Sequence, residues 1–381
     1  MSKGRRNRQS KDRGRANERR RRANTPTDSG SGASRPPRPG RVPRPDWSNV
    51  DWESLDRVDT RRAKRALLIM HIGDRAVQAN SFLEWGLRPH LIDPDSRLAH
   101  DDAAVSFTED EPNIISSTAR YPAMNACDNL VGAAQVVSLA ITQGQLRTSA
   151  ATILCRTAME SAAKTIWLIH PTDTEERLRR SFGFIETERS WQNHFNQIEE
   201  EVLKARTDKF ASADRTLFDT RRAKFETKLE LITNLREEQR QRPPKNVLEL
   251  VKGAEKWVDA ENPRQPDPEL DKIKVPRGAE SFYSLGSGFV HGYKWLIDYI
   301  DPDSPAQAEC DLLEITVDAF IAALRMTECA VALFEAQAIG QKRSPRRTSN
   351  YPNGIQELVE RWYALYRPTA YPAADNRHYG D

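Results

Sequence analysis

The chain has 381 residues, 38% of them hydrophobic and 30% charged, at a net charge of +3. That length accommodates one large domain or two smaller ones, and the apolar fraction excludes a wholly disordered chain. The charge is unevenly placed. Residues 1–45 hold fifteen Lys and Arg against three acidic residues, so the remainder is acidic and a polyanionic partner is expected at the N-terminal segment only.

The four cysteines, Cys127, Cys155, Cys310 and Cys329, are widely spaced, with no CxxC and no Cys/His cluster. This spacing argues against a zinc site and suits buried thiols in a reducing cytoplasm. No metal or cofactor is expected. The basic N-terminus is not followed by an apolar h-region, so it does not read as a signal peptide. Apolar runs near 130–141 and 150–155 end at Gln143 and Arg156, short of the roughly 18–20 residues of a membrane span.

In chain order, residues 1–45 read as a disordered basic arm, because SKGRRNRQSKDRGRANERRRR and RPPRPGRVPRP offer almost nothing to bury. Arg19, Arg20, Arg21 and Arg22 are its densest charge and the candidate contacts to RNA or another nucleic acid. A helix is predicted from about Thr60 to Leu87. Residues 88–119 carry Pro89, Pro94 and Pro112 and read as a long irregular connection. A second helix is predicted over 122–143, stopped by Gly144.

The stretch LRTSAATILCRTAMESAAKTIWLIH, Leu146 to His170, follows at once and predicts an antiparallel helical hairpin at the centre of the core. Ala151, Leu154, Ala158, Ala162, Ile166 and Ile169 share one face, while Arg156, Glu160, Ala163 and Trp167 line the other. A helix apolar on both faces is enclosed by neighbours. Arg156 and Glu160 are then a buried pair that also reaches other helices. They either fix helix register or line a cleft.

Thr172 and Glu175 suggest a capping box for a charged helix running to about Ala205. Another is predicted over 213–240, with Phe218, Phe225, Leu229 and Ile232 near heptad spacing. A short helix over 246–258, a Pro-rich loop over 261–276, a helix from Arg277 to Ile300 and one over 308–338 follow. KRSPRR at 342–347 reads as a linker before the short amphipathic IQELVERWYALY. The chain therefore divides into the arm, an all-α body over 46–340 with its core at about 120–338, and a tail over 341–381. The expected fold is a bundle of about seven to nine helices.

No GxxxxGK[ST], GxGxxG after a strand, HExxH or GxSxG is present. What remains is SLGSGFVHGYKW, residues 284–295. On one helix, Phe282, Leu285, Phe289, Tyr293, Leu296 and Ile300 form an apolar stripe, and Ser284, Ser287, Gly288, His291 and Trp295 a second. His291 follows Ser287 by one turn. It is either a satisfied histidine between helices or a cleft histidine acting on a ligand.

The order of these features is a helical hairpin carrying Arg156-xxx-Glu160, a charged helical pair, then a helix with Ser287, His291 and Gly292. It resembles the HEPN-like all-α group over roughly residues 120–338. The resemblance implies RNA-directed proteins of defence, toxin or mobile-element systems, commonly dimeric, many of them metal-independent ribonucleases. The family's nuclease motif places an Arg four to six residues before a His. Here only His291 matches, since Arg277 is the nearest upstream Arg. If the chain cuts RNA, His291 is the expected acid/base and Arg156 or Arg277 the group that stabilises the phosphate, with Glu160 a further candidate catalytic residue. Ser287 and Trp295 are candidate binding residues. Two other functions remain open: an adaptor joining a protein partner to nucleic acid or the ribosome, and a small-molecule sensor using Arg156 and Glu160.

Overall fold

A computed structural model describes residues 47, 49–105, 112–145, 148–300, 304–341, 347 and 351–366. The expectations for residues 1–45, Arg19 to Arg22 included, lie outside these. Among the described residues there are eleven α-helices and no strand: α1 Arg57–Asn80, α2 Leu83–Leu87, α3 Arg97–Ala103, α4 Ile114–Thr142, α5 Thr148–Ile169, α6 Thr174–Ala205, α7 Ala211–Thr233, α8 Val247–Glu261, α9 Ala279–His291, α10 Pro305–Ala338 and α11 Gln356–Tyr366. The count exceeds the seven to nine expected, because α2 and α3 are too short to leave a periodic signal.

Several helices begin where a side-chain oxygen can accept from the first free backbone N–H groups. Asp56 does so for α1, Ser96 for α3, Asn246 for α8 and Ser304, followed by Pro305, for α10. At α6 the cap is Asp173, accepting from Glu176 N, rather than the expected Thr172–Glu175 box. Two starts borrow their cap from elsewhere in the chain. Asp102 at the end of α3 accepts from Ile115 N and Ser116 N of α4, both at 2.9 Å. Glu255 of α8 accepts from Ala279 N and Glu280 N of α9.

The remote cap on α4 corrects the reading of 88–119 as irregular. With its first donors satisfied by Asp102, the helix starts at Ile114 and carries Pro122 inside it rather than at its beginning. Thr165 Oγ1 of α5 donates to the Ala119 carbonyl near that proline.

Helix α5 sits at the centre, packed by α4, α8, α9 and α10. Its Ala151, Cys155, Ala158, Met159, Ala162, Ala163 and Ile166 are fully buried, and small residues there let the neighbouring helices approach closely. Helix α1 covers α4 and α10. Helix α11 lies on α10 and inserts Trp362 into the same core, which therefore extends to Tyr366. A second, smaller cluster of Ile114, Ile115, Phe182, Ile185 and Ile232 ties α4, α6 and α7 together. No helix among the described residues is long and apolar enough to cross a membrane.

Candidate functional site

Arg156, Glu160 and Lys164 follow one another by single turns along the half-buried edge of α5. Arg156 Nη1 lies 3.9 Å from Glu160 Oε2, and Lys164 Nζ lies 3.3 Å from Glu160 Oε1. Tyr283 of α9 completes the group. Arg156 Nη2 donates to its hydroxyl at 2.8 Å, the guanidinium lies 4.3 Å from the ring centroid, and the hydroxyl donates to Glu160 at 3.4 Å. Both charged residues thus reach another helix, as expected. Side-chain exposures of 14% and 24% make this a partly wetted pair rather than a buried one. Burial and the nearby Glu160 carboxylate push the Tyr283 hydroxyl up to about 12, so it stays a donor at neutral pH.

The α9 end is built by its glycines. A Cβ on Gly286 would lie 3.1 Å from Arg156 Cδ, so this small residue lets α9 approach α5. Gly292 adopts φ +62° and ends the helix, with Tyr293 N donating to Gly288 O at 3.0 Å. The helix expected from Arg277 to Ile300 is therefore broken after His291. A short 3-10 segment, Lys294–Tyr299, then folds back. Trp295 and Leu296 rest on Gly288, where a Cβ would meet them at 2.8 and 2.9 Å. The expected stripe through Tyr293 and Ile300 does not form, because Tyr293 lies beyond the left-handed turn and is exposed.

His291 is exposed and stacked on Tyr293, with ring centroids 5.3 Å apart and planes at 28°. Trp295 and Tyr299 meet edge-on at 5.7 Å. Ser287 is half-buried one turn before His291. The residues of the expected site fall into separate places. Arg156 and Glu160 face Tyr283 and Gly286, whereas His291 stands five residues beyond Gly286, about 140° further round the helix. Arg277 precedes α9 and His291 ends it, so about 18 Å of helix separates them. Arg277 instead lies 4.0 Å from Asp318, whose main partner is the buried Lys274.

A second group went unread in the sequence. Glu328 of α10 lines a cleft of about 310 Å³ with Arg75 and Gln78 of α1, Asn262 to Gln265, and Arg325. Burial pushes its carboxyl up to about 7 against the opposing pull of Arg75 and Arg325. Arg75 lies 3.5 Å from Asp267, and Arg325 is held by Asp259 and the Asn262 carbonyl. An adjoining cleft shares Pro263, Arg264, Ile321 and Arg325 and includes Glu255, Asp259 and Arg277. Only the fold assembles this set, from three segments more than 50 residues apart. A glutamate on an amphipathic helix carries no local sign of it.

Comparison with protein-family models, with curated proteins and with solved structures finds no match for this chain.

Proposed function

We propose that the chain is a HEPN-like, RNA-directed protein that binds single-stranded RNA without cutting it, within a defence, toxin or mobile-element system. The observation that carries this reading is the exposed ring cluster at the end of α9. His291, Tyr293, Trp295 and Tyr299 present aromatic faces beside Lys294. Such faces stack on bases of any sequence, at about 1–3 kcal/mol per base. The Arg-rich residues 1–45 supply the phosphate attraction that the acidic remainder lacks. Cleavage is disfavoured because His291 has neither Arg156 nor Arg277 beside it. A lone imidazole cannot both move the proton and stabilise developing phosphate charge.

The test is a gel-shift series with labelled single-stranded RNA in EDTA. Wild type is expected to bind with steep salt dependence and to leave the RNA intact. Tyr293→Ala with His291→Ala should weaken binding about tenfold, and deletion of residues 1–45 should remove most of it. Cutting by wild type that disappears in His291→Ala alone would establish a nuclease. Absence of binding by wild type would end the RNA reading.

A second reading, small-molecule binding, is favoured by the Glu328 cleft rather than by Arg156 and Glu160. A carboxyl that changes charge near neutral pH inside a concave, arginine-bordered wall fits a ligand-binding or acid/base role.

A further inference from the structure

The distal half of α6 has two faces. Asn196 and Leu203, seven residues apart, are buried on the line facing its antiparallel neighbour α7, which buries Phe218 and Phe225. Arg222 of α7 reaches Glu200 at 2.5 Å across the same hairpin. Trp191, Phe195, Ile198 and Val202 lie elsewhere. At 100° per residue they fall within about 60° of one another, roughly 120° round from the buried line. Their exposures are 73%, 58%, 51% and 56%. Spacings of four, three and four residues are those of a coiled-coil seam.

We propose that this seam is a homodimer interface, in which α6 of one copy packs antiparallel on α6 of a second copy. In that register Trp191 meets Val202 of the second copy, and Phe195 meets Ile198. The rims are then self-complementary: His194 faces Glu201 across one edge, and Gln192 faces Glu199 across the other. A twofold axis repeats each pair. The two aromatic residues alone expose about 100–180 Å² each. Two seams with their rims would remove about 1,000 Å² in total, the lower bound of a specific interface. The rims also disfavour other occupants. Glu199 and Glu201, the latter paired with Lys204 of its own helix at 2.9 Å, leave the rims without the excess of Lys and Arg that nucleic acid and anionic membrane surfaces need.

Sedimentation velocity of the full chain at about 1–100 µM spans the range in which an interface of this size dissociates. Wild type is expected to sediment at twice the mass of one chain at the upper end. Phe195→Asp should sediment as a monomer with unchanged helical circular dichroism, since Phe195 is mostly exposed and outside the buried core. Glu201→Lys should weaken the dimer several-fold, and the exchange His194→Glu with Glu201→Lys should restore it. A monomeric wild type at 100 µM overturns the proposal, as does a dimer that survives Phe195→Asp. Failure of the exchange to restore affinity overturns the antiparallel register. Binding of single-stranded RNA or of phosphatidylserine vesicles that is lost in Phe195→Asp, with a monomeric wild type, would give the seam to those partners instead.

Discussion

At Glu328 the fold favours the neutral acid. One edge of the residue reaches solvent, but the carboxyl itself is desolvated, and its pKa is pushed up from the ordinary glutamate range to about 7. The folded state therefore binds a proton that the unfolded state has already released between about pH 4.5 and 7. Stability attributable to this group is full below the unfolded value and falls as pH rises through that window. Glu328→Gln removes the titration while keeping the shape. The variant is expected to match wild type near pH 4 and to exceed it by about 1–3 kcal/mol at pH 8. Urea denaturation at the two pH values measures this, and equal gaps at both would show that Glu328 ionises freely. The Arg177–Asp101 pair differs in kind. Both side chains are fully buried and joined by two hydrogen bonds of 2.6 and 2.7 Å, with the Pro171 and Thr172 carbonyls accepting from the guanidinium. Removing either partner strands a charge in the interior. The sequence pattern pointed to Arg156 and Glu160 as the buried pair, because they share an apolar helix. A partner 76 residues away leaves no periodic trace.

Among the elements, the hairpin of α4 and α5 and the long helices α6 and α10 were legible because each repeats an apolar residue every three or four positions over many turns. What escaped was set by contacts between helices. The start of α4 depends on Asp102, and the start of α9 on Glu255, neither adjacent to the helix it caps. Gly183 shows the same dependence. A Cβ there would collide with the backbone of Gln241, whose N–H donates to the Arg179 carbonyl at 2.8 Å. A connecting strap thus crosses α6 at its one glycine. Glycines in α8 and α9 supply a direct test. Gly253 of α8 is exposed with nothing within 4 Å of an added Cβ, so Gly253→Ala should stabilise by about 0.5–1 kcal/mol. Gly288→Ala should destabilise by about 1–3 kcal/mol, because Trp295 and Leu296 must both move. On the proposed function it should also weaken RNA binding by displacing the ring cluster. Thermal melts of the two variants read the stability terms. Opposite signs are expected, and a harmless Gly288→Ala would mean that the fold-back segment is not packed on α9.

On the scale of the whole molecule, the two ends of the chain differ in what they offer the core. Residues 1–45 contain Arg, Lys, Gly, Ser and Pro and almost no apolar side chain. Near the other end, α11 buries Leu358, Val359, Trp362 and Tyr366, and the Tyr366 hydroxyl donates to the His170 carbonyl at 2.6 Å. Arg347, ahead of it, is buried on Glu335 of α10 at 2.9 Å, and the same glutamate accepts from Trp85 and Tyr351. One buried carboxylate thus holds α2, α10 and the segment leading into α11. A large aromatic lost from a packed core costs about 3–5 kcal/mol, and a carboxylate stripped of its buried arginine adds to that. Deleting residues 1–45 is therefore expected to leave the melting temperature nearly unchanged. Ending the chain at residue 341 should lower it by ten degrees or more, or prevent folding. Scanning calorimetry of the two truncations decides between them. A stable chain ending at 341 would mean that α11 is a peripheral addition, and a large loss on deleting 1–45 would mean that the basic segment contributes to the core.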